Sequence, residues 1–403
     1  MGAQIIIFLF ILVNAQALPA NPDTSLYHAQ TIRWAEEFRV VPGIVHLHSR
    51  LAFNSSWLAL NALLSFVWVN GTSFHVLPAF FFWVVLAELV GSAGKLRDST
   101  EISRLYSLAA IPFLFMVGAA EISSPGTDLP VMLISTLLVK RFLEQRETGQ
   151  TSRVRQVVLL ALAVWVATIK LSGIPLLLFG LLAYQFSNEK RWVIFTAGGL
   201  AALLWLPWMA RGVVMSGYLV YPLTFPDLFD FDWKAPAERL LAEQRTLRAW
   251  ALAPRMDAHK ALSLPFSTWL KIWLGDLTIN RRILTAIAFL TPIWVFCLRI
   301  VTKPPNRSRV TSLGMAVAPV YTGLLYWFLT APDVRFGMAF ILPCAVSCAA
   351  AGIFAGLKLI GRARFEHWFA MGGRILAYLI VLALFLRSVN LSSFSSHLLF
   401  PPD

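Results

Sequence analysis

The sequence predicts an all-α polytopic membrane protein, a single bundle of about eleven transmembrane helices, and three observations carry that expectation. Hydrophobic residues fill 58% of 403 positions and charged residues only 14%, where soluble globular chains carry about a quarter charged. Apolar runs close to span length recur from end to end. Lys and Arg, which set the net charge of +13, gather in short connectors between those runs, the distribution of topogenic charge. The basic stripe with interleaved aromatics that a nucleic-acid surface needs is missing, so no nucleic-acid partner is expected.

The apolar runs fall near 3–20, 75–94, 105–120, 129–144, 157–171, 174–187, 193–210, 283–301, 310–330, 336–357 and 374–389. The first has the A-x-A ending of a signal peptide (Ala15, Gln16, Ala17) but no basic region before it, and is read as an uncleaved first span. Connectors holding Lys95, Arg97 and Arg104, then Lys140, Arg141, Arg146, Arg153 and Arg155, then Lys190 and Arg191, belong on the cytoplasmic side. So do those holding Lys303, Arg307 and Arg309, and Lys358, Arg362, Arg364 and Arg374. The alternate connectors, around Ser123–Leu129, Ser172–Ile174 and Ala331–Phe336, are poor in basic residues and face outward.

One run does not fit the alternation. Leu51–Asn70 carries Asn54, Ser55, Ser56 and Asn61, and is read as a juxtamembrane or re-entrant helix within an outer loop over 21–74, the alternative being one more span with one connector that breaks the charge rule. The long connector 211–282 is the other outer segment, with an amphipathic helix between Pro236 and Leu252 and an aromatic interfacial piece over Pro265–Leu274. With no internal repeat and no linker, residues 1–403 read as one membrane domain.

Ionisable residues at membrane depth are costly unless paired or used, and four outward clusters contain them. In Asn21-Pro-Asp-Thr-Ser-Leu-Tyr-His28, Asp23 stands where the first span meets the outer loop, with Tyr27 and His28 a helical turn later. Its carboxylate suits a general base toward a hydroxyl, and equally an N-cap for the helix through Trp34 and Phe38. Asp128, in Ser123-Ser-Pro-Gly-Thr-Asp128-Leu-Pro, puts a second acid on the same side and has the same capping alternative. In Ala331-Pro-Asp-Val-Arg335, Asp333 and Arg335 either pair with each other at the surface or leave Arg335 to clamp a phosphate. The fourth group is Lys170, at the outer end of a span, with Arg211 and the Tyr218 and Tyr221 of Ser216-Gly-Tyr-Leu-Val-Tyr-Pro222. Lys170 can also simply snorkel to the interface.

His46 and His48 alternate with no third ligand, and Cys297, Cys344 and Cys348 lie in apolar runs without a companion His or acid, so neither a metal nor another cofactor is expected. Walker, Rossmann, GxSxG and HExxH patterns are missing.

An outward Asp after the first span, an interfacial helix, a second acidic loop and a long late outer loop together resemble the GT-C membrane glycosyltransferases. Within them the chain looks most like the bacterial relatives of protein O-mannosyltransferases and aminoarabinose transferases. The stretches DTSLYHAQTIRW, VPGIVHLHSRLAFNSSW, SSPGTDL, SGYLVYP and APDVRFG are similar to an uncharacterised bacterial family of multi-pass membrane proteins placed near GT-C enzymes by topology. The resemblance implies inverting transfer of a sugar from a polyprenyl-phosphate donor to a cell-envelope acceptor, on the outer face of the inner membrane. It implies Asp23 as base and Asp128 as the second-loop acid. Tyr27, His28, Lys170, Arg211, Tyr218, Tyr221, Asp333 and Arg335 are then candidates for substrate binding. Many relatives have an acidic pair in the first loop where Thr24 follows Asp23 here, which argues against a metal-dependent version. Two other classes fit the same topology: a lipid or polysaccharide transporter or flippase, which should show repeated halves, and a polysaccharide polymerase or ligase using the arginines of 211–282.

Overall fold

The computed structural model describes residues 17–19, 21–71, 73, 75–94, 101–118, 121–149 and 152–360, with Phe8, Ile11 and Ala15 of the N-terminal stretch. The expected last span, most of the first, and the basic stretches 95–100 and 361–374 lie outside the described residues. Among the described residues every regular element is helical. A π-helical turn, Thr24–His28, runs into α1 (Ala29–Glu37), and short helices α2 (Ser56–Leu63) and α3 (Val67–Asn70) follow. Then come α4 (Leu77–Ala93), α5 (Ile102–Gly118), α6 (Asp128–Thr148), α7 (Arg153–Ile169), α8 (Leu178–Gln185) and α9 (Lys190–Ser216). The second half holds α10 (Ala237–Leu252), α11 (Ala258–Ser263), α12 (Phe266–Asp276), α13 (Ile279–Val301), α14 (Asn306–Thr330) and α15 (Val334–Ile360).

Four helices, α9, α13, α14 and α15, are long and apolar enough to cross a membrane, which supports a membrane protein. The run 174–187 does not form a span-length helix. Leu171–Leu177 is a 3-10 segment containing Pro175, and only the short α8 follows it. Leu51–Asn70 is likewise no continuous helix, because the chain breaks between α2 and α3 at Phe66, which adopts a left-handed φ of 54°. The helices expected over 236–252 and 265–274 are present as α10 and α12.

Helices also outrun the apolar runs that announce them. Lys140 and Arg141 do not sit in a connector: α6 continues through them to Gly149. Arg211 does not open the long connector but lies inside α9, which ends at Gly217. Hydropathy drops at each charge, but helical hydrogen bonding does not: KRFLEQRET is made largely of good helix formers, and in RGVVMS the helix continues despite Gly212. Each helix stops where a glycine takes the left-handed conformation, φ 62° at Gly149 and 86° at Gly217. Within α6, Lys140 is buried and paired with Glu88 of α4 (2.9 Å) and Glu144 (2.6 Å), while Arg141 takes the other Glu88 oxygen at 2.8 Å.

The centre of the bundle is α15. It packs on α5, α6, α13 and α14, and 72% of its apolar window is buried, against 6% for α9. The α9 helix therefore lies at the periphery, its apolar face left for lipid. Contact between α14 and α15 depends on two missing side chains. The Phe340 ring occupies the place where Gly323 would carry a Cβ, and the Trp327 ring does the same at Gly337. Trp327 Nε1 then donates to the Asp333 carbonyl (2.7 Å) and Trp273 Nε1 to the Pro332 carbonyl (2.5 Å), so indoles from α14 and α12 fix the turn that enters α15.

Gly323→Ala tests this packing, because its Cβ would stand 2.2 Å from Phe340. It should destabilise the detergent-solubilised protein by about 1–3 kcal/mol in chemical unfolding. Gly199→Ala, on the open face of α9 with nothing within 4 Å, should be neutral or slightly stabilising. Wild-type stability for Gly323→Ala would remove the close approach.

Candidate functional site

The turn before α1 is shaped by Asn21. Its side-chain oxygen accepts the Asp23 N–H (3.0 Å), its own N–H donates to Ser124 Oγ (3.0 Å), and its amide reaches Glu121 at 3.5 Å. This ties the Asp23 turn to the connector before α6. Burial, followed by the nearby Asp128 charge, pushes the Glu121 carboxyl above its usual range. The capping role open to Asp23 is not taken: its side chain caps no helix N–H. Asp128 opens α6, where a carboxylate suits the positive helix end.

The two carboxylates belong instead to a chain of alternating charge. Lys170, at the end of α7, pairs with Asp128 Oδ1. Arg335 Nε lies 3.5 Å from Asp128 Oδ2, and Arg335 Nη2 lies 2.7 Å from Asp23 Oδ2. Arg50 Nη1 is 3.6 Å from the other Asp23 oxygen, and Arg50 Nε is 3.6 Å from Glu243 of α10. Glu243 also accepts from Ser49 at 2.7 Å. Arg335 completes its contacts on Asn21 Oδ1 (3.1 Å), a residue 314 positions away. The Phe336 ring supports both Lys170 (4.2 Å) and Arg335 (5.1 Å). Lys170 is thus held by charge rather than snorkelling. The surface pairing of Asp333 with Arg335 is also replaced: the Asp333 carboxylate accepts the Arg335 backbone N–H (2.9 Å), and the guanidinium goes to Asp23 and Asp128.

These groups line a cavity of about 660 Å³, within the range of small-molecule sites. Asp23, Tyr27, His28, Asp128, Lys170, Tyr221, Asp333 and Arg335 all contribute to its wall; Arg211 and Tyr218 do not. Arg211 acts one layer back, donating to Asn54 Oδ1 at 2.9 Å, and Asn54 lines the cavity. Tyr218 is buried behind the wall, in a cluster with Val45, Leu240 and the wall residue Tyr221, its hydroxyl on the Ala235 carbonyl (3.2 Å). The rest of the wall is mainly apolar, including Leu58, Ile169, Trp208, Leu247, Trp250 and Trp327.

Sequence reasoning missed Arg50, Arg281 and Glu243. Arg281 lines the cavity and makes no ion pair among the described residues. Arg50 carried no signal of its own, being one of three arginines, with Arg33 and Arg39, in the outer loop over 21–74. His46 and His48 serve the loop that presents it: the His46 ring contacts the Trp233 carbonyl (3.0 Å), and His48 Nδ1 accepts the Arg50 N–H (3.2 Å).

Burial dominates the titration of the groups beside Asp23. It lowers the His28 pKa from an ordinary 6.5 to about 4; Arg335 and Lys170 act in the same direction, and Asp23 and Asp128 oppose. The Tyr27 phenol is pushed up, first by burial and then by Asp23. The imidazole is therefore neutral at physiological pH.

The chain belongs to the DUF8201 family, described as a domain of unknown function, whose model matches residues 2–342. It matches no curated protein and no solved structure.

A lowered folded-state pKa makes His28 a source of acid sensitivity. Below pH 6.5 the unfolded chain takes up a proton that the folded chain refuses until about pH 4, so stability falls as pH drops through that window. Chemical unfolding of wild type and His28→Asn between pH 7 and 4.5 should diverge by about 2–3 kcal/mol, wild type losing more. Parallel curves would mean that His28 is not held neutral by burial.

Proposed function

We propose that this DUF8201 protein is a membrane glycosyltransferase that moves a sugar from a polyprenyl-phosphate donor to a cell-envelope acceptor. The observation that carries the reading is one cavity in which three carboxylates and four cations line the wall beside an apolar face, five of these groups being joined in one ionic chain. Asp23, Asp128, Arg50, Lys170 and Arg335 come from turns and helix ends scattered through the sequence. An amphiphilic donor asks for that combination. Its isoprenoid needs apolar cover, its phosphate needs cations, and the acceptor hydroxyl needs a base.

In this mechanism the donor phosphate competes with the carboxylates for Arg335 and Lys170. Arg335 is the shared element, since it contacts Asp23 and Asp128 together. Drawing it toward phosphate frees Asp23 to accept the proton of the acceptor hydroxyl. The hydroxyl oxygen attacks the anomeric carbon, and the bond from that carbon to the phosphate oxygen breaks with its electron pair on phosphate. Phosphate leaves as a stable anion and needs no proton, so the step requires a base without a partner acid. Asp128 holds Lys170 and Arg335 where the leaving charge appears. The same reading counts about eleven spans, places the cavity on the outer face of a bacterial inner membrane, and makes membrane lipid the immediate neighbour of α9.

Right-side-out membrane vesicles carrying the protein should consume a radiolabelled polyprenyl-phosphate sugar added from outside. Asp23→Asn, compared at equal amounts of folded protein, should lower that rate by about 10²–10⁴-fold. A rate within about threefold of wild type would remove Asp23 as the base. Consumption restricted to sealed inside-out vesicles would reverse the orientation.

A further inference from the structure

We propose that His28 and Ser55 form a hydroxyl-reading pair that recognises the sugar ring of the donor, a proposal that rests on the glycosyl-transfer reading. Both side chains line the cavity, His28 at 2% exposure and Ser55 at 5%. Among the described residues, neither His28 nitrogen nor the Ser55 hydroxyl has a hydrogen-bond partner. A buried polar atom left unpaired is costly, and native interiors pair most of them. Here the unpaired atoms share one cavity wall with the charged residues.

Local geometry sharpens the point for each residue. Ser55 occupies the N-cap position of α2, where a serine hydroxyl ordinarily accepts a helix N–H, yet it makes no side-chain cap bond. Its oxygen is therefore not committed to the helix it precedes. His28 is held by its surroundings instead of by hydrogen bonds. The Tyr27 ring meets it edge-on with centroids 4.3 Å apart. Gly126 packs beside it, where a Cβ would stand in ordinary contact with His28 Cε1 at 3.7 Å and press closer, at 3.1 Å, on Asn21 Nδ2. The ring is thus oriented without consuming either nitrogen.

The chemistry of the pair selects the ligand. A neutral imidazole offers one donor and one acceptor, and a serine hydroxyl offers both, which complements a polyol. An anion would be served by the cations already present, and an apolar tail would leave these atoms unpaired. The depressed basicity of His28 keeps the ring in the neutral form. His28 lies close enough to Asp23, Asp128, Arg335 and Lys170 to feel all four charges. The group it reads therefore sits between the base and the phosphate cations, where the sugar ring of the donor must lie.

The test uses full-length protein in nanodiscs and two kinds of probe: farnesyl phosphate, and farnesyl phosphoryl sugars spanning a hexose, a pentose and an N-acetylhexosamine. Wild type should bind at least one sugar-bearing probe more tightly than farnesyl phosphate. His28→Ala and Ser55→Ala should each weaken that binding about tenfold and leave farnesyl phosphate affinity within twofold. His28→Asn, which keeps a donor and an acceptor, should recover part of the loss. Equal loss on both probes, no loss on either, or a wild type that gains nothing from any sugar would overturn the pair while leaving the phosphate site standing. Failure of wild type to bind farnesyl phosphate would overturn the glycosyl-transfer reading, and the pair with it.

Discussion

Charges next to a bilayer must find partners, and in this protein they find them in one another. Lys170, Asp128, Arg335, Asp23, Arg50 and Glu243 follow in alternating sign, each supplied by a different turn or helix. Removing water from an isolated ion costs several kcal/mol even after relaxation. Each of these side chains has an opposite charge within 4 Å. The pairing constrains the irregular segments more than the spanning helices, which are held by apolar packing. Loops that share no sequence proximity close around one cavity because their charges are satisfied only there. Ion pairs of this kind are weak evidence for stability, but a chain of them specifies one arrangement of loops.

The bundle contributes the fixed middle of that chain. Arg335 stands in the first turn of α15, the most enclosed of the four helices long and apolar enough to cross a membrane, and its approach is set by indole hydrogen bonds from Trp273 and Trp327 to the 331–333 turn. The Asp333 side chain takes the Arg335 backbone N–H, which leaves the guanidinium free to reach inward. One end is peripheral: Glu243 belongs to α10, a surface helix that also brings Leu247 and Trp250 to the cavity wall. A core helix holds the middle of the ionic chain and a surface helix this end of it.

Much of this was legible in the sequence, and the failures have physical reasons. Asp23, Asp128, Lys170 and Arg335 stood out because ionisable residues where a span meets a loop are expensive, and the structure brings all four together. The amphipathic and aromatic segments after Pro236 and Pro265 were visible from their patterning. Helix ends were not, because hydropathy reports the lipid boundary and not the hydrogen-bond boundary. The α6 and α9 helices each carry charge past the apolar run until a left-handed glycine stops them. Partner choice was hidden too. Asp333 and Arg335 are two residues apart and invited a local pair, but the guanidinium prefers a carboxylate from the far end of the chain. Arg50 and Glu243 looked like ordinary loop and helix charges, since their importance lies only in what they touch.

The account stands on the coupling between Asp23 and Arg335, and a double-mutant cycle reads it directly. Chemical unfolding of wild type, Asp23→Asn, Arg335→Gln and the double variant, under one set of detergent conditions, yields the interaction free energy of the pair. A coupling of at least about 1 kcal/mol is expected for charges in contact within one network. Additive single effects, with coupling near zero, would contradict the claim that this ion pair organises the cavity.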